Sequence, residues 1–125
     1  MNSEPLVVRE GERAWQTFGE GDALFKTLVS GDVTRSEDLT LGVLKLPPGG
    51  MLEDHHHRQA EVYLVLAGEG VVRVGSGARP FEAGCAVFVP GGVAHSCKNT
   101  GASELRIAYV LAADSFEDVE YIFEG

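Results

Sequence analysis

Three histidines stand in a row at His55, His56 and His57, four residues ahead of Glu61. The row is internal to a chain of 125 residues, so it belongs to the fold and is not a terminal tag. On an extended backbone His55 and His57 point to one face and His56 to the other. Glu61 opens the run "EVYLVLA", in which Glu61 and Tyr63 share a face. The chain's fourth histidine, His95, lies far downstream in "VPGGVAHSCKN". Three imidazoles and one carboxylate, brought together by two hairpins, suit one divalent transition metal: Fe, Mn, Ni, Co or Zn. An octahedral ion on four protein ligands keeps two positions for water or substrate, which is what catalysis at a metal requires. His56, facing away, is read as solvated.

Such a site needs strands and tight turns to hold it. Sixteen glycines punctuate short apolar runs. The runs are Leu24 to Val29, Leu39 to Leu46, Glu61 to Ala67, Val71 to Val74, Cys85 to Val89 and Glu104 to Leu111. Turn signals such as "PPGG", "AGEG", "GSGARP" and "PGG" separate them. The pattern predicts an all-β sandwich or barrel in one domain spanning 1–125. No segment of ten or more residues has helical periodicity. The tail "DVEYIFEG" alternates, with Val119, Tyr121 and Phe123 on one face, and is read as a late strand.

The fixed positions now fall into two motifs. Residues 49–68 place Gly49, His55, His57, Glu61 and Gly68; residues 84–99 place Gly84, Pro90, Gly92, His95 and Asn99. This is the spacing of both cupin motifs, and the chain resembles a small single-domain bacterial monocupin. The resemblance implies a double-stranded β-helix, or jelly-roll barrel, with His55, His57, Glu61 and His95 on one metal inside it. It also implies turn roles for the motif glycines, and a homodimer formed by packing or exchanging terminal strands. Cupins include dioxygenases, decarboxylases, isomerases, lyases and non-catalytic sugar or metabolite binders. The chain is also similar to the cupin lyases that cleave dimethylsulfoniopropionate. Those place a tyrosine two residues after the glutamate and another near the C-terminus, where this chain has Tyr63 and Tyr121.

Other residues carry plainer readings. Tyr63 is either core packing or a proton-transferring phenol whose pKa a cation lowers. Tyr109 carries the weaker form of the same choice. Cys85 and Cys97 are read as free, apolar fillers, and two unpaired thiols without a signal peptide suit a reducing cytoplasm. Lys45, Arg73 and Arg106 are read as outward cations, and Asn99 as a turn support. Trp15 is the one tryptophan that could face a sulfonium cation. The net charge of -9 argues against nucleic acid and anionic membranes as partners. What remains is a small-molecule substrate or ligand. The reaction class is oxygenase or Lewis-acid lyase or isomerase chemistry, with a non-catalytic binding barrel as the alternative.

Overall fold

The structure is a computed structural model that describes residues 4–124; the outermost ends of the expected 1–125 span lie outside them. The described residues form β1 (Gln16–Thr17), β2 (Leu24–Val29), β3 (Thr40–Leu46), β4 (Met51–His56), β5 (Glu61–Ala67) and β6 (Glu69–Val74). They continue with β7 (Gly77–Glu82), β8 (Ala86–Val89), β9 (His95–Asn99), β10 (Leu105–Leu111) and β11 (Ile122–Phe123), with short 3-10 turns at Glu10–Glu12 and Phe116–Asp118. One sheet runs β1-β2-β3-β10-β5-β8 and the other β11-β4-β9-β6-β7, antiparallel throughout. This is the expected all-β jelly-roll barrel. No helix among the described residues is long and apolar enough to cross a membrane.

Alternation decides which side chains fill the barrel. Along β5, Glu61, Tyr63 and Val65 are buried while Val62, Leu64 and Leu66 are exposed. Along β10, Leu105, Ile107, Tyr109 and Leu111 point inward. Leu46, Leu105, Ile107 and Leu111 are wholly buried, each worth about 1.5–3 kcal/mol of apolar transfer. Gly49, Gly68, Gly84 and Gly92 sit where the chain crosses from one sheet to the other, and all four have φ between 78° and 92°. A side chain with a Cβ rarely adopts that conformation. At Gly68 a Cβ would also stand 2.7 Å from the Glu104 carbonyl oxygen.

Asn99 ties the second motif to the first. It is fully buried, donating from Nδ2 to Leu46 O at 3.0 Å and Ser103 O at 2.8 Å, while Oδ1 accepts from Gly101 N at 2.9 Å. It is a turn support, as expected.

Two elements differ from expectation. "GSGARP" is not all turn: only the start bends, and Gly77–Glu82 pairs along β6 as the sheet's edge strand. Pro80 is tolerated there because an edge needs no donor on its outer side. The tail is not one continuous strand. Residues 116–118, leading into it, wind into a 3-10 turn, pinned by Glu117 N donating to Ser115 Oγ and Phe116 N donating to Ser30 Oγ at 2.8 Å, and 119–121 pair with no strand among the described residues. The strand shrinks to Ile122–Phe123, which pairs with His56 and His55 of its own β4.

Candidate metal centre

Strand register brings the motif histidines together. His55 on β4 lies directly across from His95 on β9, their ring centroids 4.2 Å apart. His57 follows just after β4 on the same face, and all three are buried. Their ligand atoms lie within 4.8 Å of one another, so the trio could hold a metal ion. Glu61 approaches from the opposite sheet. Its Oε1 is 3.2 Å from His57 Nε2 and 3.3 Å from His95 Nε2.

The backbone sets the tautomers. His55 Nδ1 lies 2.7 Å from Glu53 O, His57 Nδ1 2.9 Å from Gln59 O, and His95 Nδ1 2.9 Å from Val93 O. A carbonyl only accepts, so each Nδ1 carries the proton and a neutral ring turns a bare Nε2 inward. His95 Nε2 is buried without a hydrogen-bond partner. With neutral rings these nitrogens and the buried carboxylate would form an acceptor-only cluster, which is costly unless shared protons or a cation complete it. The donor set therefore fits a divalent transition metal.

The electrostatics agree. Burial, with the neighbouring His95, pushes His55 down to about 4 against the opposing pull of the Glu53 carbonyl and the Glu61 charge. Burial alone would raise the Glu61 carboxyl, but hydrogen bonds and charge from His57 and His95, which call for a proton on Nε2, outweigh it and hold it below the usual range; a metal would take the place of those protons. A neutral His55 and an ionised Glu61 are the protonation states a metal binds.

Beside this cluster lies a cavity of about 30 Å³, room for roughly two waters. His55, Glu61, Tyr63, Tyr109 and Tyr121 line it together with Phe18 and Phe116. The two tyrosines singled out from sequence thus share one hollow with the histidine cluster. Burial, then the Glu61 charge, raises both the Tyr63 and Tyr121 phenols well above their ordinary value. Tyr109, pushed up mainly by burial, packs over Gly42, where a Cβ would stand 2.2 Å from its hydroxyl. Phe18 was not singled out from sequence. Its ring meets His55 at 5.5 Å and Tyr121 at 4.8 Å, and an isolated aromatic in a polar N-terminal stretch gives no periodic signal.

The remaining candidates lie elsewhere. His56 turns outward and its Nδ1 meets Glu124 Oε1. Trp15 does not reach the cavity: its ring lies under Lys26 Nζ at 4.3 Å and Lys45 Nζ at 4.2 Å, with Arg106 at 5.7 Å. Lys45, Arg73 and Arg106 do not line the cavity. Cys85 and Cys97 are free. Cys97 is buried beside the site, where burial first and Glu61 second push its thiol up to about 12.

Comparison with known proteins places the chain among others of this architecture. The sequence model for the cupin domain matches residues 42–111. Dimethylsulfoniopropionate lyase DddW of Ruegeria pomeroyi is 36% identical over 103 residues, 82% of this chain and 67% of that one. An oxalate-binding protein of Thermotoga maritima is 32% identical over 112 residues, 85% of this chain and 93% of that one. The crystal structure of a predicted oxalate decarboxylase from Thermotoga maritima superposes with a TM-score of 0.74 at 28% identity, covering 86% of this chain and 99% of that one.

Proposed function

The chain belongs to the cupin family, and on that premise we propose that it is a one-domain metal-dependent lyase acting on a small carboxylate by proton abstraction and elimination. The observation that carries the reading is the shared cavity, in which Tyr63 and Tyr121 face the same small space as His55 and Glu61. The similarity to DddW points to dimethylsulfoniopropionate as the first substrate to try.

His55, His57, His95 and Glu61 would hold the ion. When bound, it supplies Lewis acidity toward a substrate carboxylate and a positive charge that lowers the pKa of a nearby phenol. The protein's own groups do the rest. One phenolate, from Tyr63 or Tyr121, takes the proton on the carbon next to the carboxylate. The freed electron pair forms the carbon–carbon double bond. The carbon–sulfur bond breaks with its pair on sulfur, releasing neutral dimethyl sulfide and acrylate, and the tyrosine keeps the proton. Without a cation, burial and then the charge of Glu61 keep both phenols protonated, and a bound cation would oppose both, so base strength would be tied to occupancy of the centre. The aromatic lining excludes water and strengthens these interactions. The cavity is small, so the aromatic side chains that line it would rearrange to admit a substrate. Unpaired thiols suit a reducing cytoplasm as its setting.

The test is to load purified protein with Fe, Mn, Ni, Co or Zn in turn and measure dimethyl sulfide and acrylate. Activity with at least one ion, lost in Tyr63→Phe or Tyr121→Phe while metal content holds, supports the reading. No dimethyl sulfide above blank with any ion removes it. The second reading is a non-catalytic binder of a small dicarboxylate, favoured by similarity over 93% of the oxalate-binding relative. Calorimetric binding of oxalate to an inactive, metal-loaded protein would select it.

A further inference from the structure

The hollow beside the histidine cluster shares a wall with a larger space outside the barrel. Its volume is about 30 Å³, against about 280 Å³ for a cleft between the segment carrying Glu12 and Arg13 and the loop carrying Asp32. Phe25 and Phe116 line both spaces. Their rings stack with centroids 4.9 Å apart and planes 28° apart. These two rings therefore stand between the outer cleft and the metal centre.

The rings are held differently. Phe25 lies in β2, paired with Gln16 on one side and Leu44 on the other, and is buried. Phe116 rides on the 3-10 turn and is half-buried. That turn hangs on one carboxylate. Phe116 N donates to Ser30 Oγ, and Ser30 and Ser115 each donate from Oγ to Asp32 Oδ1, Ser115 at 3.0 Å. A ring on a short turn moves at lower cost than one fixed between two ladders, so Phe116 is the movable part of the wall.

The cleft also carries both signs of charge. Arg13 comes from the N-terminal segment, its Nε buried without a hydrogen-bond partner among the described residues. Asp32 and Glu12 supply the carboxylates. A second outer space, about 270 Å³ beside Phe123, shares no lining residue with the hollow, and its charged groups are the carboxylates of Glu20 and Glu53. It would repel a substrate carboxylate, which Arg13 attracts.

We propose, on the reading of a metal-dependent lyase given above, that the Arg13–Asp32 cleft is the entrance to the metal centre. Phe116 swings aside to admit the substrate, and Arg13 and Asp32 select a small zwitterion with a carboxylate and a fixed cation. A sulfonio carboxylate has both charges. Oxalate has only the sign that Asp32 and Glu12 repel.

Stopped-flow absorption of the cobalt-loaded full chain tests this with two probes of one shape. Trimethylglycine is zwitterionic, and 3,3-dimethylbutanoate has a neutral tail. Neither can undergo elimination, so binding is read without turnover. Phe116→Ala should speed association of both probes at least about tenfold, and Phe116→Trp should slow it. Phe123→Ala should leave it unchanged. Arg13→Gln should slow both probes about threefold. Asp32→Asn should cut the preference for trimethylglycine over its neutral-tailed twin at least about twofold, a ratio that loosening of the turn leaves alone. Glu69→Gln, the same loss of charge on the other sheet, should keep that ratio. Unchanged rates in both Phe116 variants overturn the proposal. So does acceleration in Phe123→Ala alone, or a wild-type spectrum that answers neither probe. Probe association that follows these rules in a protein releasing no dimethyl sulfide removes the lyase reading and supports the entrance.

Discussion

Acid should destabilise the metal-free protein by an amount that His55 sets. This ring is buried under Phe18, Tyr121 and Phe123, and burial is the main reason its pKa falls from 6.5 to about 4. In the unfolded chain the same ring titrates near 6.5. Between those two values the unfolded chain binds a proton that the folded chain refuses, so stability drops as pH drops. Above 6.5 both states are neutral and His55 contributes no pH dependence. Below it the slope approaches about 1.4 kcal/mol per pH unit, and the loss reaches about 3 kcal/mol by pH 4. Against a total stability of about 5–15 kcal/mol this is a large share. The assay is urea unfolding of chelator-treated wild type and His55→Gln from pH 7.5 to 4. Glutamine can still donate to Glu53 O but has no titrating proton. Carboxylates away from the site contribute equally to both proteins, so the difference between the curves isolates His55. The wild type should lose about 3 kcal/mol more than the variant across this range. Parallel curves would refute the buried, neutral ring on which the site's chemistry rests.

Removing a ligand should cost metal and leave the fold. His95→Ala and Glu61→Ala should each weaken metal affinity at least tenfold, read as the metal-to-protein ratio after dialysis, and an unchanged ratio would strike that residue from the centre. Asn99→Ala should show the opposite pattern. It strands the buried Leu46 carbonyl at about 1–3 kcal/mol, while the Ser103 carbonyl and Gly101 amide lie nearer water, so urea melts should show a loss of about 1–3 kcal/mol with metal stoichiometry retained. Gly42→Ala places a Cβ 2.2 Å from the Tyr109 hydroxyl and 2.6 Å from Lys26 O. Strand β3 cannot yield without breaking its ladders, so a loss of at least about 2 kcal/mol is expected in thermal melts.

Much of this was legible because the informative residues are local. The alternation around Glu61 assigns β5 and its buried face, and the one-residue gap between His55 and His57 sets their common direction. The motif glycines mark sheet crossings because positive φ is a property of single residues. What escaped depends on distant neighbours. Strand β7 hides in "GARPFE" because its extension comes from pairing with β6, not from its own composition. The tail alternates like a strand, yet Ser30, far away in sequence, anchors the 3-10 turn that leads into it, and only Ile122–Phe123 finds a partner strand. Trp15 looked available for a ligand cation until the fold supplied three of its own. Phe18 reaches His55 only because the β1–β2 turn folds back beside the cavity.

The carbonyls behind the three imidazoles have a consequence for how this protein tolerates change over generations. Each belongs to a residue two positions from its histidine: Glu53, Gln59 and Val93. Because the acceptors are main-chain oxygens, the side chains at 53, 59 and 93 can drift while ring orientation and basicity stay put. Substitutions around Tyr63 and Tyr121 leave these three main-chain acceptors in place, so the rings stay anchored even where their packing changes. The barrel can thus accept new chemistry on one side of its centre while the other side is insulated from mutation.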